Sequence, residues 1–182
     1  AASASEYDAF GEAIDFELFT AQAAAGLHTT IEDFSRFAVA SLYGHKDNQK
    51  YNPVVPPEIV QQMMEPAPAT NGAYGLGYQI RSAETLKGLS GHGGANTGWH
   101  AIFRVDPATN DGFIVFTNGG AGYNICNQVF CDWISWKTGE SPWKGCYIKL
   151  PISGKLKRTI DEKGIEGSAA IYGTLKSTQP DA

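Results

Sequence analysis

The chain has 182 residues, 42% of them hydrophobic and 12% aromatic, enough for one packed domain or a large part of one and too much for a disordered chain. A net charge of −5 lacks the clustered Lys and Arg that nucleic-acid binding requires. No apolar run reaches the roughly 18 residues of a membrane-spanning helix.

Ala1 to Ser5 carry neither a Met nor a signal-peptide pattern, and they read as an internal or trimmed end. Residues 1–25 show no clean period and read as loop with one short helix. Thr29 and Glu32 have the spacing of a capping box. Ile31, Phe34, Phe37, Ala38 and Leu42 follow at helical spacing and predict a helix over about 30–43, ended by Gly44. Pro56-Pro57 opens a second short helix through Met64, with Glu58 suited to its positive N-terminus and Pro66 closing it.

From Tyr74 the period changes to two. Tyr74, Leu76, Tyr78 and Ile80 alternate with Gly75, Gly77 and Gln79, the pattern of a half-buried strand. Further strands are predicted over Leu89–Gly91, Trp99–Val105 and Phe113–Phe116, with turn formers from Asp106 to Gly112. Their short connections imply antiparallel pairing. In the Trp99 strand, Trp99, Ala101, Phe103 and Val105 share the apolar face, so His100 is placed toward solvent or a neighbouring helix and Arg104 in solvent. Ile125, Val129, Phe130, Trp133 and Ile134 return to helical spacing, ending at Lys137-Thr138-Gly139. The fold class is therefore α+β, an antiparallel sheet covered by helices. Residues 1–149 form the body. Residues 150–182, richer in Lys and Gly, read as an αα-type or flexible extension, a candidate for oligomerisation.

Three cysteines, Cys126, Cys131 and Cys146, leave at least one thiol unpaired. They read as small buried apolar residues, with a disulfide from Cys146 to one of the others as the alternative. Metal-ligand spacing such as CxxC or HExxH is absent, and no metal or cofactor is expected.

Several segments together resemble the class C beta-lactamase family, which also holds serine DD-peptidases, D-aminopeptidases and esterases. They are Ala24-Ala25-Gly26-Leu27-His28-Thr29-Thr30 with Asp33 and Arg36-Phe37, Tyr74-Gly75-Leu76-Gly77-Tyr78, Gly91-His92-Gly93-Gly94-Ala95, Val105-Asp106-Pro107 and Val115-Phe116-Thr117-Asn118. Their order and spacing over about residues 20–137 carry the resemblance.

Gly91 to Ala95 is similar to the family's third active-site motif. Acyl transfer from a serine needs a nucleophile, a base and backbone donors aimed at the developing oxyanion. Small residues on a neighbouring edge strand let the substrate approach, which Gly93-Gly94-Ala95 permits. The resemblance implies that the Ala95 N–H is one oxyanion donor and that its carbonyl binds a substrate amide. It implies that His92 lines the site with Gly93 and Gly94, and that Asn96 and Asn118 contact substrate; capping of a turn is the structural alternative for Asn118. His92 stands where many relatives carry lysine. An unperturbed histidine titrates near about pH 6.5, so it recognises a carboxylate less well than lysine at neutral pH. That departure shifts the expectation from penicillin hydrolysis alone toward a broader peptidase or esterase range.

The family's Ser-x-x-Lys and Tyr motifs lie upstream of the matched region. Ser141-Pro142-Trp143-Lys144 fits the first literally, but it follows the third motif and Gly145 comes next, where a long buried helix is needed. Lys137-Thr138-Gly139 fits Lys-Thr-Gly literally at a helix end, without a following strand. The chain is accordingly expected to be the C-terminal part of a serine hydrolase, partnered by an N-terminal part that carries the nucleophile. The expected substrate is a small molecule or peptide, and the resemblance implies a periplasmic or secreted location. The reading from another class is a non-catalytic binding or assembly module with the same cleft.

Overall fold

The computed structural model describes residues 3–42, 55–81 and 86–140, together with residue 162. The N-terminal segment forms a small hairpin, β1 (Glu6–Tyr7) against β2 (Ala13–Ile14), where a loop was expected. Strands of two residues are too short to show a period. The hairpin turns on the Asp8 carboxylate, which accepts from the N–H groups of Phe10 and Glu12 at 2.8 and 2.9 Å. The short helix α1 (Gln22–Ala25) follows.

Helix α2 (Ile31–Ala40) begins one residue later than the predicted capping box requires. Thr30, not Thr29, is the cap, and its Oγ1 accepts from the Asp33 N–H at 3.1 Å. Glu32 is turned instead to Arg36, one turn on at 2.8 Å. Gly44, the expected terminator, lies outside the described residues, as do Cys146, the Ser141–Lys144 segment and nearly all of the 150–182 extension. Helix α3 (Pro57–Met63) carries its proline in the first turn, as predicted.

The main sheet is antiparallel with order β3 (Gln79–Ile80), β4 (Ser90–Asn96), β5 (Trp99–Asp106) and β6 (Asp111–Thr117). The predicted strand from Tyr74 is mostly a tight turn. Gly77 has φ +80°, the Gly75 N–H bonds the Tyr78 carbonyl at 2.9 Å, and the Leu76 N–H bonds Met63 at 2.7 Å. Leu76 is exposed as a result, and Tyr74 bridges back to Gln79. β4, by contrast, is longer than the predicted strand over Leu89–Gly91 and takes in the whole glycine-rich motif. The turn between β5 and β6 forms at Asp106, whose carboxylate accepts from the Ala108 N–H at 2.9 Å, with Asn110 in the left-handed region at φ +57°.

The sheet separates two cores. On one face Phe103 and Val105 pack with Ala38 and Leu42 from the α2 segment, Val60 and Met64 from the α3 segment, and Tyr78. The Tyr78 hydroxyl is paired with Ser41 Oγ at 2.8 Å; burial pushes the phenol pKa up, and the Ser41 hydrogen bond partly offsets this. Helix α4 (Gly122–Thr138) covers the other face through Phe130 and Ile134, with Leu86, Leu89, Phe113 and Trp133. Gly139 ends α4 in the left-handed conformation, as the sequence implied. Cys126 is a free, buried thiol, as expected, whereas Cys131 is disulfide-bonded, in line with the alternative that one of the two forms a disulfide. Among the described residues no helix is long and apolar enough to cross a membrane. The arrangement is α+β, with helices on both faces of an antiparallel sheet.

Candidate active site

β4 is the element on which the motif residues meet. Its hairpin to β5 turns through Thr97-Gly98 alone, so Asn96 and Trp99 are the closing pair and bond to each other through the backbone. Counting back by twos, the even-numbered residues of β4 direct their backbone groups to β5. The odd-numbered ones direct them away, which agrees with the Leu89 carbonyl accepting from the Arg81 N–H at 3.0 Å on the β3 side. β3 pairs only with Ser90 and Gly91. Past Gly91, the N–H and C=O of Gly93 and Ala95 therefore face an edge with no pairing strand among the described residues. Gly94 and Ala95 are exposed, so this edge is open to an incoming chain or ligand.

Gly91 is fixed by packing. A Cβ there would sit 2.2 Å from the Phe103 carbonyl oxygen and 3.0 Å from the Arg104 Cα, both backbone atoms, and its φ is +153°. No side chain fits, and β4 can approach β5 at this register only through glycine.

His92 is exposed beside the open edge. Its Nδ1 lies 2.6 Å from the Gly93 carbonyl oxygen and its Nε2 lies 3.3 Å from the Tyr74 hydroxyl. Tyr74 also accepts from Gln79 Nε2 at 3.0 Å, and Gln79 Oε1 accepts from Arg104 Nη2 at 2.7 Å. Strand register makes this row: Tyr74 bridges Gln79, Gln79 pairs with Gly91, and Gly91 pairs with Arg104. With no side chain at Gly91, the Arg104 guanidinium reaches across β4 to Gln79.

Arg104 is only 2% exposed, which overturns its placement in solvent. Alternation predicted the wrong environment because both faces of β5 are covered here, one by α2 and α3 and the other by α4. Burial, reinforced by the nearby charge of Arg81, brings the guanidinium pKa down to about 10. Arg104 Nη1 donates to the Phe103 carbonyl at 2.8 Å, while its Nε finds no partner among the described residues. Tyr74, Gln79 and Arg104 were not singled out by sequence reasoning. An arginine set in the apolar run Ala101-Ile102-Phe103, in a strand flanked by helical segments, was the available signal.

Asn96 and Asn118 serve the frame. Asn96 Nδ2 donates to the Ala25 carbonyl at 3.3 Å, tying the end of β4 to α1. Asn118 follows β6, which is separated from β4 by β5, and its Nδ2 donates to the Ser5 carbonyl at 2.8 Å. Its own carbonyl accepts from the Tyr7 N–H at 3.0 Å, so it anchors the N-terminal hairpin to the sheet. His100 is half-buried, with Nε2 at 3.1 Å from the Gly120 carbonyl oxygen and its ring near Tyr123 of α4. His28 is exposed, its ring 5.7 Å from that of Phe16. Lys137, the literal Lys-Thr-Gly lysine, is tied to Asp106 and Asp111 at 2.9 and 3.0 Å. Among the described residues no cluster of His, Cys, Asp and Glu could hold a metal ion.

What remains is a glycine-rich strand with an open backbone edge, a histidine beside it and a buried arginine behind it. No curated protein and no solved structure matches the chain. The family model described as Beta-lactamase matches residues 1–124, which include β4 and every residue of the row from Tyr74 to Arg104, and the chain belongs to the beta-lactamase family.

Proposed function

We propose that β4 forms one wall of the active site of a serine hydrolase that acts through an acyl-enzyme on amide, ester or lactam bonds. The open edge of β4 at Ala95 carries the reading, because beyond Gly91 no strand among the described residues pairs with it, and the Ala95 N–H and C=O face the side where a substrate chain can lie. In acyl transfer a serine Oγ attacks the substrate carbonyl and negative charge develops on its oxygen. A fixed N–H such as that of Ala95 stabilises that charge without reorganising. The Ala95 carbonyl, on the same edge, accepts from a substrate amide. Gly93 and Gly94 keep the approach clear of side chains, and His92 borders it.

The serine, its lysine and the tyrosine belong, on this reading, to an N-terminal part of the same protein. The class C type, with its D-aminopeptidase and esterase relatives, is the kind the motifs favour, in a periplasmic or secreted setting. Histidine at 92 favours peptide or ester substrates over penicillin alone.

The test is intact-mass measurement of the full-length protein after incubation with a fluorophosphonate and, separately, with a penicillin. A covalent adduct with at least one reagent is expected. No adduct with either would leave a non-catalytic binding or assembly module as the function.

A further inference from the structure

The hydrogen bonds behind His92 have a direction that their chemistry imposes. Arginine can only donate, so the Gln79 atom facing Arg104 Nη2 at 2.7 Å is the amide oxygen. The Gln79 amide nitrogen then faces Tyr74 and donates to its oxygen at 3.0 Å. The single hydroxyl proton of Tyr74 is left to point onward, and His92 Nε2 lies 3.3 Å away. On the other side of the ring the Gly93 carbonyl can only accept, so His92 Nδ1, at 2.6 Å, carries the proton. Every group in the row thus donates in the same sense, from the buried arginine outward to the strand edge.

We propose that Arg104 is a positioning residue that acts through Gln79 and Tyr74 to hold His92 in the Nδ1–H tautomer, with Nε2 as an acceptor. The inference rests on His92 bordering the active site as proposed above, and it adds three residues to that site. Arg104 touches neither substrate nor edge. Its part is to set the polarity of the row, since a fixed donor at the buried end leaves only one consistent arrangement. Gly91 is required as well, because a Cβ there would meet the Phe103 carbonyl oxygen and the Arg104 Cα, so only glycine keeps Arg104 and Gln79 at this register across β4. The ring is held at two points, by Tyr74 and by Gly93, so its orientation at the wall is fixed before substrate arrives.

Selective 15N-histidine labelling of the full-length protein and a long-range 1H–15N correlation spectrum at about pH 8, above the ordinary histidine range, test this directly. The His92 signals are assigned by their loss in His92→Ala. The expected wild-type pattern is a protonated, pyrrole-type Nδ1 and a pyridine-type Nε2. Gln79→Glu keeps the size of the side chain and a partner for Arg104 but removes the donor to Tyr74. The Tyr74 proton then turns to the carboxylate, its oxygen can only accept from His92 Nε2, and His92 is expected to leave the pure Nδ1–H pattern, with the Gly93 carbonyl opposing a complete shift. Arg104→Met should produce a shift of the same sense, and Arg104→Lys, which keeps a buried donor, should recover part of the wild-type pattern. A wild-type spectrum of the Nε2–H form would overturn the proposal, as would an unchanged His92 pattern in a folded Gln79→Glu protein. Should Arg104→Met not fold, Gln79→Glu and Tyr74→Phe still decide, and Tyr74→Phe is expected to lose the pure Nδ1–H pattern. The readout needs no turnover. A protein that gives the expected spectra but no covalent adduct would refute the serine hydrolase reading and leave the tautomer assignment standing.

Discussion

Gly91, Arg104 and His92 show how far a single residue type constrains this site. Gly91→Ala places a methyl group 2.2 Å from the Phe103 carbonyl oxygen, well inside van der Waals contact, so β4 and β5 must separate or the strand must slip. The expected cost is roughly 2–4 kcal/mol of unfolding free energy, the range of a clash against backbone that cannot relax. Urea unfolding monitored by fluorescence measures it, and a change under about 0.5 kcal/mol would show that the close approach is not needed. The sequence made the glycine-rich motif visible, because small residues in a run are conspicuous in any strand pattern. Arg104 was hidden, because a charged residue in an alternating strand reads as solvent-facing until the second covering helix is known. For Asn118, where the resemblance implied substrate contact and turn capping was the structural alternative, Nδ2 donates to the Ser5 carbonyl and the backbone carbonyl accepts from the Tyr7 N–H.

At the scale of elements, one ion-pair cluster joins the β5–β6 turn to the last turn of α4. Lys137 Nζ lies 2.9 Å from Asp106 Oδ2 and 3.0 Å from Asp111 Oδ2, and it also donates to Thr109. Burial alone would raise the Asp106 pKa, but the Lys137 hydrogen bond, those from Ala108 and Thr109, and the Lys137 charge outweigh it, and the carboxyl lies below its ordinary value. Burial alone would lower Lys137, but the two aspartates outweigh it and raise the ammonium. The sign of each contribution follows. Asp106 stabilises the fold fully above the ordinary carboxylate range near about 3.9, and that contribution is lost as pH falls through its lowered value. Lys137 stabilises the fold fully below about 10.4, and its share is lost as pH rises through its raised value. Lys137→Met should cost about 2–3 kcal/mol near neutrality, the scale of a charged hydrogen bond lost from a mostly buried site. It should also flatten the acid and alkaline flanks of the stability profile. Denaturant midpoints across pH for both proteins check this, and parallel profiles would refute it.

The longer elements were the legible ones. β5 and α4 matched their sequence patterns because each carries several apolar residues at one period, β6 because its apolar run is continuous, and α3 because its prolines mark where it starts and stops. The Tyr74–Ile80 segment imitates a strand period, but its glycines serve a turn, and alternation alone cannot distinguish the two. Thr29 and Thr30 are interchangeable as caps in sequence, and the acidic residue three positions on, Glu32 or Asp33, does not choose between them.

For the molecule as a whole, the order of elements gave the α+β class, and the family match over residues 1–124 agrees with the resemblance at the level of the beta-lactamase family. The two-sided cover of the sheet follows from tertiary contacts that periodicity does not encode. It buries Arg104, while β3 reaches only Ser90 and Gly91, so that among the described residues the outer edge of β4 beyond Gly91 has no pairing strand. The central claim is that this edge supplies a backbone donor for acyl transfer. Ala95→Pro in the full-length protein removes that N–H from the open edge while leaving the bonds to β5 intact, since proline is tolerated where a strand N–H faces outward. The rate of covalent modification by a fluorophosphonate, measured for wild type and Ala95→Pro at matched unfolding midpoints, should fall by about 10²–10³-fold. Equal rates in the two proteins would contradict the account.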